Sequence, residues 1–462
     1  MPNVLIAASD KAIPLSLVSE EAFEALTDEG LKELGRGQDF KGQAGRMLID
    51  AGPDGRVRRV LAGAGKSGID PMSARSLAAR LPEGDYILAE APQGLDAELF
   101  ATGWMLGAYL FDRYRARPER GRARLVVGED SVLKAAHEVA SACLLAREMV
   151  DTPAQDMGPL QIETIAREIA EAHGADISVI SGADLLEQNY PAVHAVGRAA
   201  TAERAPRIIE IGWHLDQTDL PLVALVGKGV VFDSGGLDIK PAAGMRHMKK
   251  DMGGSAHALS LGRLVMQAGL KVRLVVLVAA VENAISGDAF RPGDVVRTRK
   301  GLTVEIGNTD AEGRVILSDA LARAGEHTPD LTIDFATLTG AARIALGPEL
   351  PPFYTDDEAL AGELVAAAAD RRDPVWRMPL WAGYRTAVEA EIADLRNDAA
   401  EWALAGSVTA ALFLQRFAPE TGVWCHFDIF AWNNRARPGH PMGGEAQAMR
   451  AVFKVLSDRY GR

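Results

Sequence analysis

From residue 207 to the C-terminus, short apolar runs alternate with helical patterns, and nothing else in the chain constrains its fold as strongly. The runs 207–212, 222–226, 271–279, 331–336 and 423–430 are rich in apolar residues, and several hold continuous apolar stretches. Such runs suit strands covered on both faces. Strands separated by helical stretches over this length predict an α/β fold with a doubly wound, mostly parallel sheet. Sheets of that kind place ligand sites beyond the C-terminal ends of their strands. At 462 residues the chain exceeds one ordinary core. Apolar runs at 4–8, 57–62 and 85–89, with helical stretches at 73–81 and 95–113, predict a smaller N-terminal α/β domain over 1–128. A helix over about 131–150, stopped before Pro153, makes 129–152 a linker helix. Residues 153–462 form the remaining domain.

The chemistry-bearing residues fall just past these strands. After the run 222–226 come Gly227, Lys228 and Gly229, then Asp233, Ser234, Gly235, Gly236 and Lys240, and further on Met248, Lys249, Lys250 and Asp251. A second block reads Gly307-Asn308-Thr309-Asp310-Ala311-Glu312-Gly313-Arg314. Any one of these residues alone would be an ordinary turn former, and Asp310 a simple Asx cap. As a set they are four acids at strand ends, which repel strongly unless cations neutralise them. Oxygen-rich ligation without cysteine or a histidine pair suits Mn²⁺, Mg²⁺ or Zn²⁺.

The two blocks resemble the signatures of the leucyl aminopeptidase (cytosol aminopeptidase) family. Val281-Glu282-Asn283, Arg291-Pro292-Gly293-Asp294-Val295, Ala336-Thr337-Leu338-Thr339-Gly340-Ala341, Ile392-Ala393-Asp394-Leu395 and His426-Phe427-Asp428-Ile429 extend the likeness over roughly 150–462, in the family's order. The resemblance implies a two-metal aminopeptidase that removes N-terminal leucine, or other apolar or small residues, by a metal-activated water. It implies that Lys228, Asp233, Asp251 and Glu312 hold one ion and that Asp233, Asp310 and Glu312 hold the other. Lys240 and Arg314 are then catalytic, with bicarbonate on Arg314. The ions implied are two divalent cations per chain, Mn²⁺ or Zn²⁺, with Co²⁺ or Mg²⁺ able to substitute. Lys228 would have to bind as a neutral amine, which from an ordinary pKa near 10.4 costs about 4.6 kcal/mol at pH 7 and is offset by metal binding. The implied pocket for the N-terminal side chain comprises Met248, Thr337, Leu338, Gly340 and Phe430. At Phe430 the family has a small residue, so the ring is expected to narrow the pocket.

The resemblance further implies peptide substrates and a homohexamer of two facing trimers. A net charge of −13 and the lack of a reading motif argue against nucleic acid. DNA binding or regulation on the same scaffold is the alternative reading. The arginine-dense segment 113–124 is read as a solvated boundary. Two cysteines, Cys143 and Cys425, suit a reducing compartment. The chain start lacks a basic stretch followed by a long apolar one, and no run reaches 18 apolar residues. A cytoplasmic protein with no signal peptide and no membrane span is expected. Gly63-Ala64-Gly65-Lys66-Ser67 looks like the end of a phosphate-binding loop, but Val60 occupies the place of its first glycine. It is read as a strand-to-helix turn. His247 and His257 flank the acidic block and are read as structural, and Cys425 as core.

Overall fold

The computed structural model describes residues 3–66, 70–90, 93–115, 122–399 and 404–461. The chain divides into two compact units. One comprises 1–144 with 435–442, the other 145–434 with 443–462.

The first unit is an α/β domain on a six-stranded sheet. Its order is Leu5–Ile6, Ala123–Val126, Gly84–Glu90, Ile13–Ser19, Val57–Gly65 and Met47–Ala51. All neighbours run parallel except the last pair. The expected helical stretches are Ala74–Arg80 and Ala97–Gly107. Gly63, Ala64 and Gly65 close the strand Val57–Gly65, and the helical turn Pro71–Ser73 follows. Ser67 lies outside the described residues, as do 116–121 of the arginine-dense segment. Arg124 pairs with Asp85 at 2.7 Å.

The second unit is built on an eight-stranded sheet. Its centre is four parallel strands, Val423–Asp428, Leu331–Ala336, Leu222–Asp233 and Arg273–Asn283. The run read as ending at residue 226 continues unbroken through Gly227-Lys228-Gly229 to Asp233. Glycines flanking a lysine resemble a loop, yet here they let a covered strand carry a charged side chain. The edges depart from a purely parallel sheet. Arg207–Trp213 runs antiparallel to Arg273–Asn283, and Asp176–Ser181 antiparallel to Arg207–Trp213. On the other side Pro352–Tyr354 runs antiparallel to Val423–Asp428. The sheet is therefore mixed, with its parallel core intact. The linker helix runs Asp130–Asp151. No helix among the described residues is long and apolar enough to cross a membrane.

Three of the four central strands are buried almost throughout, as their apolar runs require. Helices Gly253–Ala268 and Glu312–Glu326 pack against them and begin at the strands' C-terminal ends. That edge is where a doubly wound sheet presents its ligand site.

Candidate metal centre

Each acid is held by local backbone that leaves an oxygen pointing inward. Asp233 ends its strand, and its Oδ1 accepts from Gly235 N (2.9 Å) and Asn283 Nδ2 (2.8 Å). Gly235 and Gly236 then take φ of 87° and 64°, a left-handed pair that only glycine adopts without strain. The reversal lets Lys240 N donate to Ser234 O (3.0 Å), and Lys240 Nζ returns to within 2.7 Å of Asp233 Oδ2. Asp251 rides on the helical turn Met248–Met252. Its Oδ1 accepts from Thr337 Oγ1 (2.8 Å) and Lys250 Nζ (2.9 Å).

The second acidic block is a helical turn, Thr309–Ala311, running into the helix Glu312–Glu326. Asn308 caps it by accepting from Asp310 N at 2.8 Å. Glu312 opens the helix, where the helix dipole favours an acid; Arg314, two residues on, gains nothing from that dipole. Asn283 Nδ2 also donates to Thr309 O (3.0 Å) and so ties the two acidic segments together. Asn397 Nδ2 donates to Asn308 O (2.6 Å), and its Oδ1 accepts from Gly307 N (2.8 Å). Neither asparagine stands out in the sequence, because their bonds span 90 residues for Gly307–Asn397 and carry no periodic signal.

One oxygen each from Asp233, Asp310 and Glu312 can lie within 4.8 Å of one another. Lys228 Nζ sits 2.7 Å from Asp251 Oδ2 and 3.0 Å from Glu312 Oε1. The site residues expected from the sequence thus converge: Lys228, Asp233, Lys240, Asp251, Asp310 and Arg314 line one cavity of about 370 Å³. Glu312 is buried beside it. Met248, Thr337, Leu338 and Gly340 line the same cavity. Phe430 does not. It is buried, with its ring beneath the Arg343 guanidinium. A residue at a strand end has no fixed facing until the chain turns there, and here Ala431 turns at φ 57°.

The electrostatics are those of four clustered acids that the neighbouring lysines only partly neutralise. Burial, and then the charge of Asp233, pushes Glu312 up to about 8 and Asp310 up to about 6. Burial works against the Lys228 ammonium, but Asp251, Glu312 and Asp233 outweigh it and hold the group above its ordinary range. Lys240 is likewise opposed by burial and raised by Asp233 and Glu312. Asp251 Oδ2, Asp310 Oδ1 and Glu312 Oε1 are buried, and the groups set against them are the Lys228 and Lys240 ammoniums. Even with Lys250 on Asp251, these leave four clustered acids short of neutralising charge, which is costly in a buried site. An all-oxygen set completed by one amine fits hard or borderline divalent cations, so these residues pass the test for a metal site.

The two histidines lie outside the acid group. His257 is buried and bonds Gly253 O and Gln447 N through its two ring nitrogens. His247 packs on Trp432. Cys425 is buried in its strand. The cavity is also lined by Lys250, quoted in the sequence only as part of the first block, and by Arg343, which the sequence reading did not single out. Asp428 was quoted only within a motif. Its carboxylate accepts from Leu338 N (3.0 Å), Thr339 N (3.1 Å) and Ser407 Oγ (2.9 Å), which fixes the cavity wall.

The family model described as the cytosol aminopeptidase family, catalytic domain, matches residues 144–453. A second, described as the M17 aminopeptidase N-terminal domain, matches 13–128. A probable cytosol aminopeptidase of Roseiflexus castenholzii is 38% identical over 387 residues, covering 80% of this chain and 78% of the relative. The crystal structure of a cytosol aminopeptidase from Coxiella burnetii aligns with a TM-score of 0.92 at 41% identity, covering 99% of this chain and 100% of that one. The bottromycin maturation enzyme BotP in complex with Mn aligns at 0.87 with 32% identity, covering 98% and 100%.

Proposed function

Because the chain belongs to the cytosol aminopeptidase family, and is a metal-dependent aminopeptidase of the leucyl aminopeptidase type, we propose that its acid cluster is the catalytic two-metal site. The convergence of buried carboxylate oxygens from Asp233, Asp310 and Glu312, with Asp251 and the Lys228 amine beside them, carries this reading. Lys228, Asp233, Asp251 and Glu312 would hold one cation, and Asp233, Asp310 and Glu312 the other. Mn²⁺ and Zn²⁺ suit the donor set, and the Mn in the BotP complex makes Mn²⁺ the first to try. When bound, the cations would anchor the substrate's free α-amine and supply Lewis acidity to the scissile carbonyl and the attacking water.

The remaining steps belong to side chains. Lys240 is held as an ammonium by Asp233 and Asp310. It is poised to donate to the oxyanion that develops on the carbonyl, a contribution of about 10²–10³ in kcat for one such donor. Arg314 is nine-tenths buried and its Nε has no partner. A guanidinium has no usable basic form, so Arg314 holds an anion rather than taking a proton itself. Bicarbonate on Arg314 would serve as the proton carrier. Met248, Thr337, Leu338 and Gly340 would wall the space for the N-terminal side chain.

The fuller reading is a cytoplasmic homohexamer acting on peptides, with an N-terminal domain over 1–128, a linker helix over 129–152 and a catalytic domain over 153–462. The direct test compares a leucyl and an N-acetylleucyl chromogenic amide. Cleavage of the first alone, abolished by chelation and restored by Mn²⁺, is the expected result. Cleavage of the blocked substrate, or full activity with no metal bound, would overturn it.

A further inference from the structure

We propose that Arg343 forms a carboxylate-recognising subsite in the cavity wall, which selects peptides with an N-terminal glutamate or aspartate. The inference rests on the metal-site reading above and names the substrate class of that site. Arg343 lies on the short helix Gly340–Leu346 and lines the cavity beside Met248, Lys250, Thr337 and Gly340. Its guanidinium carbon stands 4.4 Å over the centroid of the Phe430 ring. That ring is fixed from below: Phe430 is 6% exposed, and its backbone N donates to Gln447 Oε1 at 2.9 Å. Lys250 Nζ lies 5.9 Å from the same centroid and 2.9 Å from Asp251 Oδ1. The contacts from Asp251 through Lys250 and Phe430 to Arg343 therefore set the guanidinium close to a proposed metal ligand.

The two cations differ in what they already hold. Lys250 is committed to Asp251. The Arg343 guanidinium makes no hydrogen bond or ion pair among the described residues and has only the face of the ring. A leucine side chain pressed against it would strip water from a guanidinium and return nothing. A carboxylate would meet a planar fork of donors that it can engage through both oxygens. Phe430 holds the guanidinium over its ring face, so less freedom is lost on binding. The residue expected to narrow an apolar pocket is instead the platform for a cation.

The test uses full-length, Mn²⁺-loaded protein and p-nitroanilides of Glu, Gln, Asp, Leu and Ala. None has a C-terminal carboxylate, so preference among them reports on the N-terminal side chain. Gln matches Glu in shape without the charge, and a charged hydrogen bond is worth roughly a 10–100-fold ratio in kcat/KM. The wild type should favour Glu over Gln by at least about tenfold. Arg343→Gln should bring that ratio near one, and Arg343→Lys should keep part of it. Ratios taken within one variant are independent of how much of it folds, and the wild-type ratio stands without any variant. A wild-type ratio at or below one, or a ratio unmoved by Arg343→Gln, overturns the subsite while leaving the metal site standing. A wild type that prefers leucyl dipeptides over their C-terminal amides, with no Glu preference, would assign Arg343 to the product-side carboxylate and equally overturn it. Failure to cleave any of the five with metal bound would overturn the metal-site reading itself.

Discussion

Gly313→Ala separates the chemistry of the site from the stability of the fold. A Cβ at Gly313 would lie 2.5 Å from Lys228 Cε and 2.7 Å from its Nζ. Carbon atoms settle about 3.5–4.0 Å apart, so the end of the lysine must retreat by about 1 Å. It has little room to do so. Lys228 is 2% exposed and wedged among Asp251, Glu312 and the Thr337 carbonyl, the last at 3.3 Å. A displacement of about 1 Å at a catalytic group costs roughly 10² in rate. Position 313 is helical, and alanine there is favoured over glycine by up to about 1 kcal/mol. The variant should therefore lose about 10²-fold in kcat and need more Mn²⁺ for half its activity, while the helix gain offsets part of an overpacking cost of about 1–3 kcal/mol, so its metal-free Tm falls only modestly. Initial rates on an aminoacyl anilide across a Mn²⁺ series, with thermal unfolding under chelator, measure all three. A folded Gly313→Ala protein with wild-type turnover and Mn²⁺ dependence would show that Lys228 does not work where the structure puts it.

Three further outcomes are expected. Lys240→Ala should retain its metal, read by elemental analysis, yet lose about 10²–10³ in kcat; loss of metal would mean that the residue is a ligand. Glu312→Ala should lose metal from both positions, and a variant that still binds two ions would break the assignment of Glu312 as a bridge. Glu210 accepts from Arg323 at 2.7 Å and 2.9 Å and from His327 at 2.9 Å, and although burial opposes its charge these bonds bring it down to about 2. A depressed acid stabilises the fold above its ordinary value near 4.5 and loses that contribution as pH falls toward 2. Discounted for partial exposure it contributes about 1–2 kcal/mol, so urea midpoints of wild type and Glu210→Gln should differ near pH 6 and draw together as the pH falls from about 4.5 to 2. A difference that holds unchanged from pH 6 down to pH 2 would contradict this.

The readable features of the chain were those that repeat or cluster locally. The run 331–336 is a strand with those same bounds because apolar burial alone dictates it. The acids and lysines of the two blocks stand out because charge just past an apolar strand is unusual. Glycine misled at 227 and 229, where close packing rather than a turn explains it: a Cβ on Gly227 would lie 2.7 Å from Ser255 Cα. Strand direction at the sheet edges was not legible, since Arg207–Trp213 has the same covered composition as its parallel neighbours. Asn283, Asn397 and Asp428 act through hydrogen bonds to groups far along the chain, which no spacing rule detects. The facing of Phe430 and the exposure of Arg343 to the cavity depend on one turn at Ala431 and one short helix, where neither period of two nor of 3.6 applies.

The central claim is that this cluster is a two-cation hydrolytic site, and its most direct test is a Mn²⁺ titration of chelator-stripped protein monitored by release of the N-terminal residue. The account predicts no turnover at the start, a rise with added ion, and a plateau at two equivalents per chain. Turnover in the stripped protein, or a plateau at one equivalent with a second ion never bound, would contradict it.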